Sequence, residues 1–158
     1  MFTAEEILNI AVRLEKNGEK IYKDAAREIN APELVSLLEW MAAEEVQHAE
    51  RFLKMKASVS TASPNPVVDE MGRELINDML GNRSFSLDDV DFSRIESVND
   101  MIATFIEFEK DTVLFYEMLE AFIDAKEPRD TLKRIITEEN CHIEQLREFL
   151  KTRTIAAC

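Results

Sequence analysis

Four long stretches of the chain repeat apolar side chains at helical spacing, and each carries an acid near its middle where the pattern calls for an apolar group. The first places Ile7, Leu8, Ala11, Leu14, Ile21, Tyr22, Ala25 and Ala26 on one face, with Glu15 and Gly18 inside the stripe. It predicts a helix over 3–29, opened by Thr3-Ala4-Glu5-Glu6, a capping box with Thr3 as N-cap. The second, over 31–57, runs through Leu34, Leu37, Leu38, Met41, Phe52 and Met55 and includes Glu45 and His48. The third, over 97–125, is capped by Ser97 and aligns Met101, Ile102, Phe105, Phe108, Phe115 and Leu119 with Glu109, Thr112 and Tyr116. Lys126-Glu127-Pro128 is expected to break it. The fourth, over 128–151, carries Leu132, Ile135, Ile136, Ile143, Leu146 and Phe149 with Glu139 and His142; Thr152 to Cys158 is expected to fray.

The break around Asn30-Ala31-Pro32 is short enough to make the first two helices antiparallel neighbours. Residues 58–96 have a weaker pattern and a linker-like start, Ser58 to Pro66, with a short helix expected over Val67 to Leu80. The predicted fold is therefore all-α: a four-helix bundle of two pseudo-repeated hairpins, 3–57 and 97–151, joined by one long crossover over 58–96, as a single domain over 1–158.

Composition narrows the function classes. Three glycines and four prolines in 158 residues favour helices over a turn-rich sandwich. A net charge of −13 argues against nucleic acid or an anionic membrane as partner, because both select clustered Lys and Arg. No apolar run approaches the ~20 residues that span a bilayer, and the first residues, with no basic region before an apolar run, are not expected to act as a signal peptide. A cytoplasmic protein is expected. With Cys141 and Cys158 alone there is no C-x-x-C pair and no disulfide framework. Cys141, beside a candidate ligand but about 100° around the helix from it, is expected to be an inert helix cysteine rather than a redox thiol.

The chemistry lies in a duplicated motif. Glu44-Glu45-Val46-Gln47-His48-Ala49-Glu50 and Glu138-Glu139-Asn140-Cys141-His142-Ile143-Glu144 both read E-E-x-x-H-x-E, and they contain both histidines of the chain. Residues three apart share a helix face, so Glu45 with His48, and Glu139 with His142, can each address one metal ion. The same displacement carries Glu15 onto Glu109 and Tyr22 onto Tyr116. Four buried carboxylates and two imidazoles are costly in a dry core unless cations compensate them. Two divalent ions balance four carboxylates, and an oxygen-rich set with two imidazoles suits iron, with manganese or zinc also accommodated. Glu44, Glu50, Glu138 and Glu144 fall off the inward face and are expected in solvent. Tyr22 and Tyr116 are either donors to the metal-bound glutamates or core tyrosines with satisfied hydroxyls.

At Glu15/Tyr22, Glu45/His48, Glu109/Tyr116 and Glu139/His142 the chain resembles the rubrerythrin and ferritin-like di-iron carboxylate proteins. The resemblance spans both hairpins. It implies two Fe ions, with Glu45 and Glu139 bridging, Glu15 and Glu109 terminal, and one histidine on each iron. It differs in two places. Rubrerythrins proper carry a C-terminal rubredoxin-like module with two C-x-x-C pairs, so here a separate electron-donor protein is implied. They also carry an additional glutamate three residues after the ligand of the third helix, where this chain has Thr112, the repeat mate of Gly18. The expected function is reduction of hydrogen peroxide or dioxygen, in a homodimer. Iron binding or storage without peroxidase turnover, and a structural module stabilised by metal, are the alternatives.

Overall fold

The computed structural model describes residues 4–58, 97–155 and 158. Over these residues the apolar stripes become four helices: α1 (Ala4–Glu28), α2 (Pro32–Ser58), α3 (Val98–Leu119) and α4 (Lys126–Thr152). No strand occurs among the described residues, so the chain is all-α there. The expected capping residue Thr3 and the crossover from residue 59 to 96 lie outside them.

Local chemistry sets the helix ends. Pro32 begins α2, where its missing N–H costs nothing. Ser97 is the N-cap of α3: its backbone is extended, and its hydroxyl accepts the Asp100 N–H at 3.1 Å. The break after α3 comes earlier than the sequence pattern suggested. α3 stops at Leu119 and tightens into a 3-10 turn, Glu120–Phe122. Lys126, Glu127 and Pro128 are the first turn of α4 rather than a breaker. A proline in a first helical turn forfeits no intrahelical bond, because those N–H groups have no partner to lose. Arg129 braces this corner by donating from Nε and Nη2 to the Ile123 carbonyl at 2.9 and 2.6 Å.

Arg153 and Cys158, which follow α4, are not frayed in the way expected. Arg153 takes a left-handed conformation at φ 60°, returns its N–H to the Phe149 carbonyl, and donates to Asn99 at the start of α3 at 2.6 Å. Cys158 is disulfide-bonded to Cys141. Cys141 is therefore not the inert helix thiol that its sequence context suggested. Nothing in the helical pattern relates it to a residue beyond the helix end.

α1 packs chiefly against α2 and α3 against α4, and the hairpins meet along α1–α3 and α2–α4. Cross-hairpin pairs fix the directions. Tyr22 meets Glu109 while Tyr116 meets Glu15, and His48 meets Glu139 while His142 meets Glu45. In both sets one index rises as the other falls, so α1–α3 and α2–α4 are antiparallel. α2 and α3 then run the same way, and α3 starts at the end of the bundle opposite to where α2 finishes. The apolar core is consequently split. One cluster, around Met41, Phe105 and Leu146, fills one half; another, around Leu8, Phe52 and Leu132, fills the other. Between them lies a layer of acids and imidazoles.

Candidate metal centre

Helical periodicity places one carboxylate from α1, one from α3 and a Glu/His pair from each of α2 and α4 in that layer. Glu15, Glu45, His48, Glu109, Glu139 and His142 are all at most 2% exposed. Their side chains form two groups that could each hold an ion: Glu15, Glu45, His48 and Glu139, and Glu45, Glu109, Glu139 and His142. Within each group the candidate ligand atoms lie inside 4.8 Å of one another. Glu45 and Glu139 belong to both.

Glu139 spans the layer. Its Oε1 lies 2.8 Å from His48 Nδ1, and its Oε2 lies 2.9 Å from His142 Nδ1. His48 Nδ1 is also 3.5 Å from Glu15, and His142 Nδ1 is 3.3 Å from Glu45 and 3.6 Å from Glu109. The imidazoles stack at 5.9 Å between centroids. Despite these distances, Glu15 Oε2, Glu45 Oε1, Glu109 Oε2, both Glu139 oxygens and both Nδ1 atoms have no hydrogen-bond partner. Buried polar atoms are seldom left in that condition. Converging lone pairs of carboxylate oxygen and imidazole nitrogen are the donor set of an oxygen-rich di-metal site, and the residues fit two divalent ions.

The outer contacts are built across the hairpins. Tyr22 donates its hydroxyl to Glu109, and Tyr116 donates to Glu15. Both tyrosines are fully buried, so each serves as a core residue and a donor at once. His48 Nε2 bonds Glu138 Oε2 at 2.8 Å, and Arg51 holds the same oxygen at 2.5 Å. Glu138 is thus not the free solvent-facing acid expected from its place on the helix; burying it halfway lets it clamp the outer nitrogen of His48. The motif contained a signal for this. In an antiparallel α2–α4 pair, the acid preceding Glu139 is brought past His48, and Arg51 one turn on marks a charge to be met. Glu44 is half-buried beside His48, whereas Glu50 and Glu144 are exposed as expected. On the other side, the His142 and Trp40 rings pack at right angles with centroids 5.2 Å apart. Gly18 also has a role that periodicity cannot reveal. A Cβ there would lie 3.1 Å from Glu45 Oε2, so glycine lets the carboxylate pass close to α1.

Burial and the charges of neighbouring side chains shift the protonation of this layer. Burial and the Glu139 charge push Glu45 well above the usual carboxylate range. The same two causes raise Glu109 to about 7, against the opposing pull of His142 and Tyr22. Burial alone would raise Glu139, but the two imidazoles outweigh it and hold it below the usual range. Burial would lower the histidines, yet Glu139 and Glu15 push His48 up to about 12, and Glu109 and Glu139 raise His142 well above its ordinary value. Burial and the neighbouring carboxylates keep both tyrosines neutral donors. Glu138 is lowered by Arg51 and His48, which outweigh its partial burial.

The four helices and the carboxylates shared between them define an all-α bundle with a buried Glu/His cluster able to bind metal. The rubrerythrin family model matches residues 6–150, and the chain belongs to the rubrerythrin family. Among solved structures, the chain is similar to a protein of Thermotoga maritima described as a ferritin-like diiron-carboxylate protein. The identity is 23%, the TM-score 0.68, and the match covers 97% of each chain. Comparison with the curated proteins gives no match. Among the described residues no helix is long and apolar enough to cross a membrane.

Proposed function

We propose that this chain is a non-haem di-iron oxidoreductase that reduces hydrogen peroxide or dioxygen. The observation that carries the reading is the sharing of Glu45 and Glu139 by two buried four-residue donor groups. Glu45 and Glu139 would bridge two ions; Glu15 with His48, and Glu109 with His142, would complete one ion each. When bound, the ions supply one electron apiece and act as Lewis acids on the oxygen substrate.

The rest of the work falls to the protein. Tyr22 and Tyr116 hold the terminal carboxylates in place by donating to them. Glu138, fixed by Arg51, accepts from the outer N–H of His48 and leaves Nδ1 directed at the layer. The apolar clusters on either side keep bulk water out and strengthen these contacts. An external reductant would supply the electrons that turnover consumes, and the cytoplasm is the expected setting.

The test is anaerobic reconstitution with Fe(II), metal counting, and addition of peroxide while the visible spectrum is recorded. With the Cys141–Cys158 disulfide left intact, about two irons per chain, oxidised by about one equivalent of peroxide, is the expected result, with both irons and the reaction lost in Glu45→Ala. Irons that ignore peroxide and air would leave an iron-binding or structural module.

A further inference from the structure

We propose that Cys141 and Cys158 form a redox-active dithiol/disulfide pair that passes two electrons to the metal centre. The inference rests on the di-iron reading above and adds to it the chain's own route of re-reduction.

Three observations carry it. Cys141 directly precedes His142, whose Nδ1 lies among the carboxylates of the layer, so the pair is joined to the centre through one peptide unit. The bridge is also accessible: Cys158 is exposed and Cys141 half-buried, while Gln145, one turn along α4, donates its amide to the Cys158 sulfur at 3.2 Å. Finally, the metal-facing residues repeat between the hairpins, but this surround does not. The displacement that superposes the ligands sets Gln47 against Cys141 and Arg51 against Gln145. On the His48 side those positions supply Arg51 to the Glu138 clamp; on the His142 side they supply a sulfur and the amide that holds its partner. A structural staple has no need to start next to a metal-binding residue. An exposed bridge is open to thiolate attack and cycles wherever glutathione and thioredoxin act.

The step balances. In the reduced pair two S–H bonds break and one S–S bond forms. Two protons go to solvent, and two electrons reduce two ferric ions to ferrous. A second dithiol, a small molecule or a protein, then reduces the bridge by thiol–disulfide exchange. With peroxide as oxidant, the net reaction converts one dithiol and one peroxide to one disulfide and two waters.

The full chain is reduced, desalted anaerobically and loaded with Fe(II). Peroxide is then added stepwise while ferrous iron and free thiols are counted in the same samples. The expected result is about two equivalents of peroxide consumed per wild-type chain, against about one for Cys158→Ser. At the first equivalent the wild type loses its thiols while its iron remains ferrous. Metal-free wild type keeps its thiols over the same interval. Iron oxidised with thiols intact would overturn the relay and leave the di-iron reading standing. Thiols lost equally fast without metal would also overturn it, as direct oxidation. Iron that never oxidises would overturn the di-iron reading, and the relay with it.

Discussion

Tyr116 donates its hydroxyl to Glu15 of the other hairpin, not to Glu109 seven residues back on its own helix. Tyr22 does the reverse with Glu109. Each hairpin therefore holds the buried carboxylate of the other's first helix, and neither half can assemble the layer alone. Tyr116→Phe removes a donor from a buried acid and leaves the ring in place. It is expected to cost about 1–3 kcal/mol in the metal-free chain and to weaken metal binding about 10–100-fold. Denaturant unfolding and chelator competition read the two effects. A change under about 0.5 kcal/mol with unaltered affinity would reduce the tyrosine to packing.

Glu138 offers a sharper contrast. Glu138→Gln keeps size and polarity but loses the charge that faces Arg51 and His48. The expected loss in metal affinity is again about 10–100-fold, confined to the ion on the His48 side. Glu50→Gln, at an exposed position of the equivalent motif, is the control and should change nothing. Calorimetric titration with Mn(II) or Fe(II) distinguishes one weakened site from two.

Gly18→Ala sets helix propensity against site geometry. Alanine is favoured over glycine in a helix by about 1 kcal/mol, and the Glu45 carboxylate that a Cβ would press upon is the movable end of a side chain. The metal-free variant should equal or exceed the wild type in stability. Metal binding should weaken, because Glu45 belongs to both donor groups and can no longer rest in its present place. Unchanged affinity would show that Glu45 tolerates the displacement.

The protonation pattern gives opposite pH trends with and without metal. Glu109 is raised from 4.5 to about 7 in the fold. Its contribution to stability is complete below about 4.5 and is lost as pH rises through about 7. His48, raised from 6.5 to about 12, acts with the same sign over the higher window. Glu139, lowered in the fold, contributes above the ordinary carboxylate range and is lost on acidification. The metal-free chain should therefore lose stability between pH 5 and pH 8, by an amount on the order of a few kcal/mol. Metal must displace the same protons, so its affinity and its stabilising increment should grow over that interval, with proton release on binding. Thermal melts of both forms across pH, and titrations in buffers of different ionisation heat, test this. A metal increment that shrinks as pH rises would contradict it.

The sequence by itself determined the helices, the inward stripes and the six polar residues set within them, because these follow from local periodicity. Of the stripe positions in the described residues, only Ala26 and Ile136 fall short of full burial. Duplication of the motif added the pairing of the hairpins, since two identical half-sites need a shared axis. What only the tertiary structure decided are relationships between residues that no period connects. The tyrosines cross to the opposite hairpin, Glu138 turns inward to clamp His48, Gly18 makes room for Glu45, and Cys158 returns to Cys141. Each depends on how two helices, or a helix and the residues after it, lie against each other. A helical pattern records which face of a helix is buried, but not what meets that face.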